Sequence, residues 1–158
     1  EIVNSDWSSD VCSSDLITVI TASVSASSML SQNKDIDVVQ LGGIVRESSV
    51  SVVGSFAEDM LKYFNCSLLF MGADGVDLDF GVTTTNMMEA NLNRMMMSTS
   101  QQTVLLVDSS KFGKKGFSKI CDIGEIDRII TDENIPKMYL ENLQELGIEV
   151  TVVPIAKS

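Results

Sequence analysis

From residue 17 onward, short apolar runs rich in β-branched residues alternate with segments that carry helix-start signals. That alternation constrains the fold more than any other feature. A short β-branched run is strand material, and strands separated by helices pair in parallel through right-handed crossovers. The runs are Ile17-Thr18-Val19-Ile20, Ile36 to Leu41, Cys66 to Met71, Thr103 to Val107, Arg128 to Thr131 and Glu149 to Val153. Ile17 to Ile20 reads as a buried strand. Cys66 to Met71 is continuously apolar, as expected in a sheet covered on both faces.

Helices are expected from Ala22 to Gln32, from Ser55 to about Phe64, from Asn86 to about Thr99 and from Pro136 to Gly147. Ser55 with Glu58, and Asn86 with Glu89, have the spacing of a capping box. Pro136 suits a first helical position. Residues 44–53 read as an exposed loop or hairpin, Asp77 to Val82 as a turn, and Lys111 to Gly116 as a Gly/Lys loop. The predicted fold is α/β, an open and mostly parallel sheet flanked by helices.

Composition removes several classes of function. A chain of 158 residues favours one domain, and a 44% hydrophobic content supplies its core. No apolar run approaches the roughly 20 residues of a membrane span. The net charge of −11 makes the chain by itself a poor binder of DNA. There is no histidine, so the commonest metal ligand and the usual general base are missing. Cys12, Cys66 and Cys121 are far apart and form no Cys-x-x-Cys. Neither a zinc site nor a disulfide framework is expected, and a reducing cytoplasm fits. Cys66 is expected as a buried reduced thiol. No metal or cofactor is expected. Met71, Met87, Met88, Met95, Met96 and Met97 are expected to pack in a core or an oligomer interface.

Residues 1–16 stand apart. They lack apolar periodicity and hold the near-repeat Ser8-Ser9-Asp10-Val11-Cys12-Ser13-Ser14-Asp15. They have neither the basic start nor the apolar centre of a signal peptide. Asp6 to Leu16 resembles the conceptual translation of a sequencing adapter. Residues 1–16 are therefore expected to be a non-native or disordered leader. Residues 17–158 are expected to be the functional domain.

In open α/β sheets, ligands bind outside the carboxyl ends of the strands. Asp74, between Gly72 and Gly75, can bind sugar hydroxyls, although the sequence alone slightly favours an Asp-Gly turn. Glu89 can act as a base toward a carbon next to a carbonyl, and the competing reading is a helix cap partnered with Asn86. Lys111 can neutralise a phosphate or carboxylate, or be one solvated lysine beside Lys114 and Lys115. Gly42, Gly43 and Arg46 can form an anion corner, with open backbone and a bidentate guanidinium, or an ordinary turn. Thr83 to Asn86, Thr84 among them, precede a helix whose amides favour an anion; plain capping by Asn86 is the alternative.

These segments together resemble a known family. The carrying motifs are Ile17 to Ser23, Leu41-Gly42-Gly43-Ile44-Val45-Arg46, Val53-Gly54, Met71 to Asp77, Glu89-Ala90 and Val107 to Gly113. In order and spacing they resemble the C-terminal sugar-phosphate sensor domain of DeoR/GlpR-type bacterial transcription regulators. Its fold is shared by ribose-5-phosphate isomerases and coenzyme A transferases. The resemblance implies a non-enzymatic sensor whose effector is a phosphorylated sugar. The implied ligand-binding set is Ser23, Gly42, Gly43, Arg46, Asp74, Thr84, Asn86, Glu89 and Lys111. It also implies DNA binding through a separate N-terminal helix-turn-helix, absent from this sequence, and a homo-oligomer in the full-length protein.

An aldose–ketose phosphate isomerase is the rival reading, with Glu89 as base and Asp74 and Lys111 as polarisers. The lysine-glycine loop of such isomerases is replaced here by Gly81-Val82-Thr83-Thr84-Thr85. That replacement favours recognition over turnover. A coenzyme A transferase half, needing a covalent glutamate intermediate, is a third reading. Two further departures concern the sensor pattern. Ala22 stands where the family usually has asparagine, and the leader replaces an acidic-glycine-threonine phosphate loop ahead of the first strand.

Overall fold

The computed structural model describes residues 17–155. The expected leader lies outside the described residues. In chain order the elements are β1 (Ile17–Thr21), α1 (Val24–Leu30), β2 (Ile36–Gln40), β3 (Ile44–Arg46), β4 (Ser51–Val53) and α2 (Ser55–Leu61). Then come β5 (Cys66–Met71), β6 (Gly75–Asp77), β7 (Gly81–Thr84), α3 (Met87–Ser98), β8 (Ser100–Leu106) and β9 (Ser118–Cys121). The last elements are β10 (Arg128–Asp132), α4 (Lys137–Glu145) and β11 (Glu149–Val153). Short 3-10 turns cover Ser109–Lys111 and Ile123–Glu125.

The fold is α/β with a mostly parallel central sheet. Strands β11, β10, β8 and β5 lie side by side in that order, all parallel. β1 and β2 form a separate parallel pair, in register from Ile17 with Ile36 to Thr21 with Gln40. Residues 44–53 are a hairpin of β3 and β4. β6, β7 and β9 form a small antiparallel sheet, so the turn expected at Asp77 to Val82 joins two short strands. Gly81, at the start of β7, has a φ of +98° that an L side chain would strain against.

The hydrophobic core falls into two clusters. The larger holds Met71, Val76, Val82, Leu105, Phe112, Ile120, Ile129 and Leu143, among others. The smaller holds Leu41, Val52, Val53, Ala57, Leu61 and Leu92. α3 serves both, giving Ala90 to the first and Leu92 to the second. Four of its five methionines follow suit, Met88, Met95 and Met96 packing on the smaller cluster and Met97 on the larger, while Met87 is exposed, contrary to expectation. Flexible thioethers suit a helix wedged between two irregular surfaces.

Several expectations need correction. β1 and β5 are mostly half-buried, although their sequences are those of fully buried strands. Among the described strands, β1 is paired by β2 alone and β5 by β8 alone. For the same reason Cys66 is half-buried; burial still pushes its thiol up. Among the described residues Cys121, on β9, is the buried thiol, pushed up to about 12 by burial and by Glu125 and Asp122. Gly54, not Ser55, is the N-cap of α2, and no side chain bonds that cap. α1 is shorter than Ala22 to Gln32, because Ser23 caps its start. Pro136 is the N-cap of α4, one position before the helix.

Candidate functional site

The site grows from the end of β5. The chain leaves the sheet at Met71, and β6 begins at Gly75. Asp74 is held in place when its N–H donates to the Thr83 carbonyl, 2.9 Å away across the β6–β7 hairpin. At the end of β7 three threonine groups then reach Asp74. The Thr84 Oγ1, the Thr85 N–H and the Thr85 Oγ1 lie 2.9, 2.9 and 3.1 Å from Asp74 Oδ2. All three use the same oxygen, so Oδ1 keeps its capacity to accept from a ligand hydroxyl. Burial acts to raise this carboxyl. The Thr85 amide, the two hydroxyls and the charge of Lys111 outweigh it and hold the group below the usual carboxylate range.

Thr84 also lies 3.1 Å from Glu89 Oε2. One hydroxyl has one proton, so it satisfies Asp74 or Glu89 at a given moment and not both. The other Glu89 oxygen pairs with Arg46 from β3, and both side chains are about four-fifths buried. Glu89 is thus not the capping partner of Asn86. Asn86 caps α3 alone, accepting from the amides of Met88 and Glu89 at 2.9 and 3.1 Å. Those amides are therefore already used, as is the Thr85 amide.

Asp74, Thr84, Glu89 and Ser23 line one cavity of about 860 Å³. Ser23 also caps α1 by accepting from the Ala26 amide. Arg46 joins this group through Glu89, and Lys111 through its charge on Asp74. Lys111 ends the 3-10 turn that follows β8 and is capped by Asp108. Gly42 and Gly43 are used differently. The Gly42 amide donates to Met60 Sδ at 3.2 Å. A Cβ at Gly43 would stand 2.7 Å from the Val53 carbonyl, so glycine there lets β3 lie against β4.

Sequence reading offered Thr85 only within Thr83 to Asn86 as an anion site and missed its role toward Asp74, to which it gives two of the three carboxylate contacts. The run Thr83-Thr84-Thr85 was the available signal. It also missed the role of Thr83, which is fully buried: its hydroxyl donates to the Gly75 carbonyl and accepts from the Gly116 amide at 2.7 Å. Among the described residues no cluster of acidic or thiol groups could hold a metal ion, and no helix is long and apolar enough to cross a membrane. The arrangement is two carboxylates with two cations at strand ends, a set suited to polyol hydroxyls and an anionic group.

Comparison with known proteins finds transcription regulators. The chain is 36% identical over 141 residues to the HTH-type transcriptional regulator YulB of Bacillus subtilis, covering 89% of this chain and 55% of that protein. It is 32% identical over 117 residues to the HTH-type transcriptional regulator GlpR of Haloferax volcanii, covering 74% and 46%. It is 34% identical over 94 residues to the lactose phosphotransferase system repressor of Staphylococcus epidermidis, covering 60% and 37%. The chain spans about half the length of curated relatives that it matches. The model of the DeoR C-terminal sensor domain matches residues 9–133. The chain belongs to the DeoR C-terminal sensor domain family.

Proposed function

We propose that this domain is the effector sensor of a bacterial transcription repressor, and that its effector is a phosphorylated sugar. The observation that carries the reading is the group Asp74, Thr84, Glu89, Arg46 and Lys111 at the strand ends. Arg46 and Lys111 take the phosphate. Asp74 Oδ1 and Glu89 take sugar hydroxyls, with Ser23, Thr84 and Asn86 around them. The incoming anion competes with Glu89 for Arg46, so binding and release of that ion pair are coupled. Gly42 and Gly43 contribute by shaping the hairpin that carries Arg46.

In the whole protein the domain works in the cytoplasm without enzymatic turnover. A helix-turn-helix on the N-terminal side binds DNA, residues 1–16 have no part in sensing, and the protein is a homo-oligomer. The effector switches DNA binding only if it prefers one state, since equal affinity for both shifts nothing. Thermal-shift titration with sugar phosphates and the matching free sugars tests the reading. Arg46→Ala and Lys111→Ala are expected to weaken phosphorylated sugars about tenfold or more, and free sugars much less, as loss of a charged contact predicts. Equal effects on both ligand types would contradict the phosphate role.

A further inference from the structure

Thr83 is fully buried, so no ligand reaches it. Its hydroxyl nevertheless makes two bonds, donating to the Gly75 carbonyl at 3.2 Å and accepting from the Gly116 amide at 2.7 Å. Filling the space needs no hydroxyl, since valine has the same branched shape. What the hydroxyl adds is a link between two peptides far apart in the chain. Both of those peptides belong to glycines that make room for it. A Cβ at Gly75 would stand 2.7 Å from the Thr83 Oγ1 and 2.4 Å from the Lys114 carbonyl oxygen. A Cβ at Gly116 would stand 2.7 Å from the Thr84 carbonyl oxygen and 3.2 Å from the same hydroxyl.

The link sits at a weak point of the small sheet. Val82 pairs with Cys121 and Thr83 with Lys119, so the register of β7 on β9 shifts between them and Ile120 has no opposite residue. Such a bulge interrupts the ladder and bends the strand. The Thr83 hydroxyl ties β7 across that interruption, to the start of β6 through Gly75 and to the chain entering β9 through Gly116. Groups of the strand-end site hang from both sides of the tie. On one side the Thr83 carbonyl accepts from the Asp74 amide at 2.9 Å. Thr84 and Thr85 follow directly on the chain and reach Asp74 Oδ2. On the other side Gly116 closes the loop that Lys111 opens, and Gly113 of that loop donates to the Val76 carbonyl at 2.8 Å.

We propose that Thr83 is the positioning residue of the strand-end site. Its hydroxyl and carbonyl together fix the Asp74–Gly75 peptide against β7. Thr84 and Thr85 then meet one carboxylate oxygen of Asp74 and leave the other free for a ligand. Through Gly116 the same hydroxyl holds the lysine loop beside them. The spacing of the hydroxyl-binding and phosphate-binding sides is thus set by a residue that touches neither. Without the hydroxyl, the Gly116 amide loses its partner where water does not reach, and a buried group without a partner must move or stay unsatisfied at a cost. The β6–β7 hairpin and the lysine loop then part from their fixed spacing. The consequence for ligand selection rests on the effector reading; the seating of the threonines on Asp74 does not.

Thr83→Val and Thr83→Ser separate shape from hydroxyl: the first keeps the branched shape and loses both bonds, the second keeps the bonds. The titration of Asp74, followed by its carboxyl carbon resonance, reads the positioning without any ligand. In Thr83→Val it is expected to move up toward the ordinary carboxylate value, and in Thr83→Ser to stay low as in the parent chain. Thr131→Val is the control. Thr131 is a buried threonine on β10 whose hydroxyl has no partner among the described residues, and its loss is expected to leave Asp74 unchanged. Should Thr83→Val fail to fold, Thr83→Cys, a weaker donor, takes its place with a shift in the same direction. An Asp74 titration that stays put in the hydroxyl-free variant, or that moves equally in Thr83→Ser or Thr131→Val, would overturn the proposal. The second readout is thermal-shift titration with ribose 5-phosphate and glucose 6-phosphate. Binding is expected to weaken about tenfold in Thr83→Val, as loss of a charge-assisted contact predicts, and to recover in Thr83→Ser. Equal weakening in both variants would count against the hydroxyl. If neither phosphate binds the parent chain, the effector reading suffers and the Asp74 titration still decides for or against Thr83.

Discussion

Asp74 is held between opposing effects. Burial acts against its charge, while the Thr85 amide, the threonine hydroxyls and Lys111 favour it, and the favourable set prevails. A carboxyl held low in the folded state adds stability above its unfolded value of about 3.9, and that stability is lost as pH falls through the lower folded value. Asp74→Asn should therefore cost about 1–2 kcal/mol at neutral pH, as for hydrogen bonds to a charged group. The gap between the two proteins in urea unfolding should narrow from about pH 7 to about pH 3. A gap that stays constant would mean that the threonines do not hold a carboxylate. The position of Asp74 after an apolar run was legible in the sequence. Its partners were not, because Thr84 and Thr85 return to it across a hairpin ten and eleven residues later.

Among the elements, α3 was the most legible. Asn86 announces its start, and the cap forms as the residue type dictates. β9 was invisible. Ser118-Lys119-Ile120-Cys121 is short and mixed, and its partner β7 lies more than thirty residues away with a register shift between Val82 and Thr83. Such a strand exists through its pairing rather than through its own propensity. The β3–β4 hairpin carries a cost of its own. Val50 has a φ of 49°, a left-handed conformation that a β-branched residue resists. Val50→Gly should raise stability by about 0.5–1 kcal/mol, the relief of that conformation less the added backbone entropy. A lower melting temperature for the variant would show that the Val50 side chain contributes more than its backbone loses. The hairpin also carries Arg46, so its rigidity sets how firmly the guanidinium is presented.

For the whole molecule, the alternation of runs and helices was enough to specify an α/β fold with parallel strands, because each apolar run had to find cover in a sheet. The same runs gave no warning that β1 and β5 would be mostly half-buried, since hydrophobicity records a need for cover and not its provision. The two core clusters have a consequence for cooperativity. All-or-none unfolding requires every part of a domain to depend on every other, and separate clusters weaken that dependence. α3 is the element shared between the clusters, so it sets whether they melt together. Calorimetry should show the smaller cluster, around Leu41, Val53 and Leu61, opening before the larger one. Leu92→Ala should cost about 2–5 kcal/mol and spread the two events further apart. A single sharp transition in both proteins would mean that the domain melts as one cooperative unit despite its divided interior.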